Sequence, residues 1–106
     1  MKKKRYKIEL SDEAESDFDK SYEYYSYKNE KVANDFFKNV NNSLEEIAKN
    51  PSTYPKVINE VRKYVIKKFP FIIYYKIEQL IIKIIAIFHA NRNPEIWKDR
   101  TENNEE

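Results

Sequence analysis

The feature that most constrains the fold lies in the second half of the chain, where three apolar runs follow one another closely. They span residues 61–66, 71–77 and 80–88. Runs of this length, rich in Ile, Val, Phe and Tyr, are typical of β-strands. Parallel neighbouring strands need a crossover of a dozen or more residues, and the short connections here leave no room for one. The pattern therefore predicts an antiparallel meander.

The first half of the chain is mainly helical in its periodicity. Alternation over residues 6–10 predicts a short strand. Ser11 is a suitable N-cap for a helix over residues 12–27, and a second amphipathic stripe over residues 33–48 ends at Asn50-Pro51. The order β-α-α-β-β-β predicts an α+β fold, with a helical hairpin packed on one face of a mostly antiparallel four-stranded sheet.

The last two strands are predicted to join through a turn at Glu78-Gln79. The register that follows pairs Ile77 with Leu80, Tyr75 with Ile82, Ile73 with Ile84, and Phe71 with Ala86. These residues and Phe88 would form an apolar surface beneath the helices. In the strand at 61–66, either Val61 and Val65 or Tyr64 and Ile66 face that core, and the pattern does not decide between them.

The opposite face of the predicted sheet is also rich in apolar side chains. It would carry Ile72, Tyr74, Lys76, Ile81, Lys83, Ile85 and Ile87, with His89 at its end. An apolar surface of this kind is seldom left bare in a monomer. We expect it to be covered by the chain's own C-terminal segment, by a second copy, or by a partner protein.

Composition excludes several classes of chemistry. The 106 residues include no cysteine, no glycine and one histidine. Disulfide frameworks, thiol nucleophiles and multi-His metal sites are therefore excluded, as are glycine-rich phosphate loops and the nucleophile elbow. We expect neither a cofactor nor a metal. The most apolar segment, residues 80–88, is interrupted by Lys83 and is much shorter than the ~20 residues of a membrane span, so we expect a cytoplasmic protein.

Charge is distributed unevenly along the chain. Residues 8–55 carry five basic and eleven acidic groups, whereas residues 56–100 carry ten basic and four acidic groups. A basic half beside an acidic half suits contact with a polyanion or an acidic protein, although an ordinary solvated surface would look the same.

Over roughly residues 5–98 the chain resembles toxins of the RelE/ParE superfamily, and more closely the ParE-like branch. The stretches that carry the resemblance are Ser11–Ala14, Tyr24-Tyr25, Ala33 with Phe36-Phe37, Asn50-Pro51, Tyr54-Pro55, Val61-Arg62, Phe69–Phe71, Tyr74-Tyr75 and His89–Trp97. Their order and spacing are more specific than any one of them. The resemblance implies a single toxin domain over residues 1–100, followed by an acidic, frayed tail at 101–106.

The same resemblance implies a function in a type II toxin–antitoxin system. The chain would arrest growth unless held by a cognate antitoxin whose disordered tail wraps around it. ParE-like members act as inhibitors of DNA gyrase, and RelE-like members as ribosome-dependent mRNA endonucleases. The expected target is gyrase, with the ribosome and its mRNA as the alternative. A non-toxic orphan that keeps the fold as a protein-binding module is a third reading, and a homodimer or an oligomer with the antitoxin remains open.

Cleavage of RNA would need an acid or base and cations on the phosphate. His89 is the candidate acid or base, and Lys67, Lys68 and Arg92 are candidate phosphate contacts because the register places them at the same end of the sheet. Structural alternatives are that His89 caps the strand end, that Arg92 anchors the C-terminal segment, and that the lysines form a solvated turn. The nuclease pattern is incomplete, since the central strands lack a dense cluster of Lys and Arg.

Other residues are candidates for contact with the target or the antitoxin. They are Arg62, Tyr74, Lys83, Ile85, Ile87 and Trp97. Arg62 is equally suited to pairing with an acidic side chain or touching a phosphate, and Trp97 is expected to cover the sheet edge. Glu60 and Arg62 fall at the far end of the sheet from His89, so a Glu60–His89 acid–base pair is not expected.

Overall fold

The computed structural model describes residues 5–103 and contains three helices and a five-stranded sheet. The elements are β1 (Lys7–Leu10), α1 (Asp12–Lys28), α2 (Glu30–Lys49), β2 (Lys56–Ile58), β3 (Val61–Val65), β4 (Phe71–Glu78), β5 (Ile81–His89) and α3 (Glu95–Asn103). The predicted α+β class and helical hairpin are confirmed. The predicted count of four strands is wrong, and the predicted order lacked β2 and α3. The last residues of the predicted tail, 104–106, lie outside the described part of the chain.

The ends of the two long helices are set by polar caps. The Ser11 side chain accepts a hydrogen bond from the backbone N–H of Ala14 at 3.0 Å. Asn29 ends α1 and begins α2, and its side chain accepts from the Lys31 N–H at 2.8 Å. A single residue therefore separates the helices, which fold back on each other. No helix within residues 5–103 is both long and apolar enough to cross a membrane.

The strands lie in the order β1-β5-β4-β3-β2. β1 pairs in parallel with β5, and the other three pairings are antiparallel. The helical hairpin carries the chain from β1 to the far edge of the sheet, and the meander then returns until β5 lies beside β1. β2 was not predicted, because it is only three residues long and lacks an apolar alternation.

The hairpin between β4 and β5 differs from the predicted register in two ways. Glu78 pairs with Ile81, so the loop is Gln79-Leu80, one residue later than predicted. Further along, Tyr75 pairs with Ile84 but the preceding residue of β4 pairs with Ala86, so Ile85 is an extra residue in β5. It forms a β-bulge, which bends the strand and interrupts the ladder.

The bulge reverses the alternation in the second half of β5. Ile87 packs among the residues beneath the helices, whereas Ala86 and Phe88 pack on the opposite face. The predicted faces of these three residues are therefore wrong, because one inserted residue moves every later side chain to the other side. Ile85 and Tyr74 lie on the opposite face, as predicted.

Two apolar clusters result, one on each side of the sheet. The helix-side face is covered by α1 and α2 and includes Tyr64 and Ile66 of the undecided strand, while Val65 is exposed. The α3-side face carries Val61, Tyr74, Ile85, Ala86 and Phe88, and Trp97 packs against them. Three covers were expected for the α3-side face: the chain's own C-terminal segment, a second copy or a partner protein. In the structure the C-terminal segment covers it.

Candidate functional site

One end of the sheet gathers three of the predicted site residues. His89 pairs with Phe71 across β4 and β5, and the Ala90 N–H donates to the Pro70 carbonyl at 2.7 Å. Lys67 and Lys68 occupy the exposed turn that leads into Pro70. The register thus places His89 and the two lysines at a common end, as expected from the meander.

The imidazole of His89 caps the end of β5. Its Nδ1 accepts the backbone N–H of Asn91 at 3.1 Å, which leaves Nε2 as the position for the proton of the neutral ring. The ring also meets Phe71 edge-on, with centroids 5.3 Å apart. Within residues 5–101, His89 forms no salt bridge with a carboxylate. In the structure His89 therefore caps the end of β5. Its Nε2 is left as a hydrogen-bond donor on an exposed side chain.

Arg92 is engaged within the molecule. Its guanidinium lies 3.4 Å from a carboxylate oxygen of Asp17 and 4.1 Å above the ring of Phe88. These contacts hold the segment after β5 against α1 and the α3-side face. Of the two roles considered for Arg92, anchoring the C-terminal segment is the one that the contacts support.

Asp17 and Arg100 were not among the predicted site residues, yet they form an ion pair whose side chains are both largely buried. Asp17 accepts from Arg100 at 2.8 and 3.1 Å and from the Ile87 N–H at 3.1 Å. Arg100 also donates to the Ile85 carbonyl at 3.0 Å. We call Asp17, Arg92 and Arg100 the ionic cluster. The sequence held one sign of the ionic cluster. Asp17 lies three positions after Ala14, on the side of α1 that is buried.

The predicted contact residues of the sheet face are covered by the chain itself. Trp97 is 1% exposed and stacks on Tyr74 with centroids 4.4 Å apart, so it covers the face rather than the edge. Tyr74 and Ile85 are also buried, and Ile87 lies on the helix side. A partner would reach Tyr74, Ile85 or Trp97 only after α3 had moved, and Ile87 is not on that face.

Arg62 and Lys83 have separate local partners. Arg62 Nη1 donates to the carbonyls of Ser52 and Tyr54 at 3.0 and 2.6 Å, rather than to an acidic side chain. Lys83 Nζ lies 3.0 Å from Glu78, and Lys76 lies 3.3 Å from the same carboxylate. Hydrogen bonds from both lysines hold the pKa of Glu78 below its usual value. Lys83 remains partly exposed.

Comparison with known proteins decides the family. Residues 8–94 match the model of the ParE toxin of the type II toxin–antitoxin system parDE. The chain belongs to the ParE toxin family. The matched range contains both sheet faces, the Lys67–His89 end, Asp17 and Arg92. It ends before α3 begins, so Trp97 and Arg100 lie beyond it.

A chain of similar fold is found among the solved structures. The fold is similar to a solved chain described as the chromosomal ParDE TA system from P. aeruginosa, with a TM-score of 0.71 and 16% sequence identity. The similarity covers 80% of this chain and 96% of that one. At this identity it concerns the fold alone. No curated protein matches the sequence, and within residues 5–103 no three acidic or histidine side chains gather as metal ligands would.

Proposed function

We propose that this ParE family member arrests growth by binding and inhibiting DNA gyrase, and that a cognate antitoxin holds it inactive in the cytoplasm. The observation that carries the proposal is the family match over residues 8–94. The target follows from the resemblance to the ParE-like branch, whose members inhibit gyrase without hydrolysing a substrate.

The contacts of the candidate catalytic residues favour binding over cleavage. Arg92 is paired with Asp17, and Nδ1 of His89 is occupied by a backbone N–H. A ribonuclease site would need these groups to act on the 2′-hydroxyl, the phosphate or the leaving oxygen. Inhibition by binding needs none of them.

The antitoxin is proposed to fold onto the basic half of the chain. Residues 56–100 carry an excess of basic groups, which complements an acidic disordered tail. The partly exposed Lys83 is proposed as one contact. Contacts with Tyr74, Ile85 and Trp97 would require the antitoxin to replace α3 on the sheet.

Two reactions run in parallel test the proposed target. The purified chain is added to a gyrase supercoiling reaction and to translating ribosomes with labelled mRNA. Loss of supercoiling without mRNA cuts supports the proposal, and mRNA cuts without loss of supercoiling contradict it. If neither reaction changes and induced expression leaves growth unaffected, the chain is a non-toxic orphan.

The endonuclease alternative is favoured by one observation, the grouping of Lys67, Lys68 and His89 at one end of the sheet. Under that alternative His89→Ala abolishes mRNA cleavage, because the only imidazole in the chain is lost. Cleavage that survives the substitution would remove His89 from the chemistry. The matched control is Tyr27→Ala, a substitution at a highly exposed position of α1.

A further inference from the structure

A line of aromatic contacts crosses the end of the sheet that holds His89. Tyr24 meets Tyr25 with centroids 5.4 Å apart, and Tyr25 meets Phe69 at 5.4 Å and Phe71 at 6.3 Å. Phe71 in turn meets His89 at 5.3 Å. The outer rings, Tyr24 and His89, are exposed, whereas those between them are buried or half-buried. The exposed rings are therefore held from behind by packed ones.

Cationic side chains flank these rings. Lys28 Nζ lies 5.4 Å from the centre of the Tyr24 ring, and Lys67 and Lys68 precede Phe69 in an exposed turn. None of the three lysines is in a salt bridge within residues 5–101. We call Tyr24, Lys28, Lys67, Lys68, Phe69 and His89 the end patch.

Acidic residues are scarce in the strands that carry Lys67, Lys68 and His89. Between residues 61 and 94 the one acidic residue is Glu78, which lies at the other end of β4 and is paired with Lys76 and Lys83. Asp17, on the neighbouring side of α1, is neutralised by Arg92 and Arg100. The strand side of the end patch therefore carries an excess of positive charge, which attracts polyanions, whereas Glu23 and Glu30 lie next to Tyr24 and Lys28 on the helix side.

We propose that the end patch binds single-stranded nucleic acid, by stacking bases on its rings and by pairing its lysines with phosphates. Exposed aromatic rings beside cations are the combination with which proteins bind single strands without reading their sequence. A duplex keeps its bases stacked inside and offers only phosphates to such a surface. An acidic peptide would use the lysines but has no need of the rings.

This binding is distinct from gyrase inhibition and involves no bond cleavage. It uses Lys67, Lys68 and His89 together with Tyr24, Lys28 and Phe69, which the endonuclease alternative does not use. It also leaves Asp17, Arg92 and Arg100 in their structural contacts. Its failure would leave the proposed toxin function untouched, because supercoiling and binding are measured separately.

The charge contribution is tested by the salt dependence of binding. The full chain is titrated into fluorescein-labelled oligothymidylate while anisotropy is followed at several salt concentrations. Three phosphate contacts predict a slope of log K against log salt near about −2, and Lys67→Ala/Lys68→Ala should make it shallower by about 1.4. The control Lys38→Ala/Lys49→Ala removes the same charge from exposed positions of α2 outside the end patch and should leave the slope unchanged. Equal effects of both double variants would overturn the proposal.

The stacking contribution is tested by Tyr24→Ala against Tyr27→Ala. Both tyrosines are exposed on α1, but only Tyr24 belongs to the aromatic line. Loss of one stacked base should weaken binding at least about fivefold for Tyr24→Ala and not for Tyr27→Ala. Circular dichroism of each variant checks that the fold is kept. Absence of binding, unchanged affinity in Tyr24→Ala, or equal competition by duplex DNA or by polyglutamate would each overturn the proposal.

Discussion

The two faces of the sheet are closed by different kinds of interaction. On the helix-side face, two long helices bury a continuous apolar core in which Phe36 contacts Phe18, Tyr25, Phe69 and Phe71. On the α3-side face, a nine-residue helix contributes one large buried side chain, Trp97, and is held by the ionic cluster. The helix-side face should therefore contribute most to the free energy of unfolding. The α3-side face should mainly keep α3 packed on the sheet.

The largest expected effect is on the helix-side face. Phe36→Ala removes a fully buried ring from the middle of the aromatic contacts and should lower the free energy of unfolding by about 3–5 kcal/mol. Phe37→Ala is the matched control, because Phe37 is adjacent in sequence but 46% exposed. Urea denaturation of both variants measures the difference. Similar losses would contradict the assignment of the fold's stability to this core.

A smaller effect is expected from the ionic cluster. Asp17→Asn removes the charge between two arginines and weakens the hydrogen bond to the Ile87 N–H. Because Arg92 is partly exposed, the expected loss is about 2–3 kcal/mol rather than that of a wholly buried pair. Hydrogen exchange should be accelerated in α3 more than in α1.

The control for the ionic cluster is Asp19→Asn, an exposed position on the same helix. It makes the same change in charge without touching either arginine and should leave stability within about 0.5 kcal/mol. Uniform acceleration of exchange in α1, α2 and α3 after Asp17→Asn would mean that the two faces are not separable.

The third effect concerns the hydroxyl of Tyr75, which is buried on the helix-side face and donates to the Pro51 carbonyl at 2.7 Å. Tyr75→Phe leaves that carbonyl without its partner and should cost about 1–2 kcal/mol. Burial raises the pKa of Tyr75 to about 12 from an ordinary value near 10. The folded state thus favours the protonated form, so this contribution is complete below about pH 10 and is lost as the pH rises towards about 12.

Urea denaturation at pH 9 and pH 11 checks the direction of that change. Burial also raises the pKa of Tyr25 and Tyr54, so the wild-type chain alone does not isolate one residue. The loss of stability between the two pH values should be smaller in Tyr75→Phe than in the wild-type chain. An identical loss would exclude Tyr75 as a source of the alkaline dependence.

The smallest effect is expected at a position that belongs to neither face. Gln79, in the β4–β5 turn, has φ of 57°, a conformation that is unfavourable for a residue with a Cβ atom. Gln79→Gly should raise the free energy of unfolding by up to about 1 kcal/mol, measured by urea denaturation. Amide hydrogen exchange should become slower on both faces of the sheet to the same extent. Slower exchange in α3 alone would contradict this expectation.

Sequence patterns predicted the helix-side face better than the α3-side face, for a physical reason. The helical stripes and the alternation in β4 report burial directly, since each side chain faces the core at a regular interval. In β5 the run from Ile84 to Phe88 is apolar at every position, so it carries no alternation from which a bulge could be located. The backbone groups at the bulge bind partners outside the sheet, namely Ser11, Asp17 and Arg100, which no local pattern in β5 indicates.

The candidate site was predicted in part. The grouping of Lys67, Lys68 and His89 followed from strand order and length, which local patterns carry. The engagement of Arg92 depended on Asp17, seventy-five positions earlier, and no local pattern indicates such a pair. The same limit applies to Trp97, whose stacking on Tyr74 depends on the direction in which the chain turns after β5.

The edge of β5 beyond the bulge has a consequence for how copies of this chain behave in a crowded solution. From Ile85 onward, within the described chain, no strand lies on the side of β5 away from β4. Bare edges of this kind recruit strands from other molecules and promote aggregation. Here Asp17 already accepts the hydrogen bond from the Ile87 N–H, and Arg100 already donates one to the Ile85 carbonyl. An incoming strand would have to displace two opposite charges before forming its first backbone bond, so the sheet resists growth at this margin.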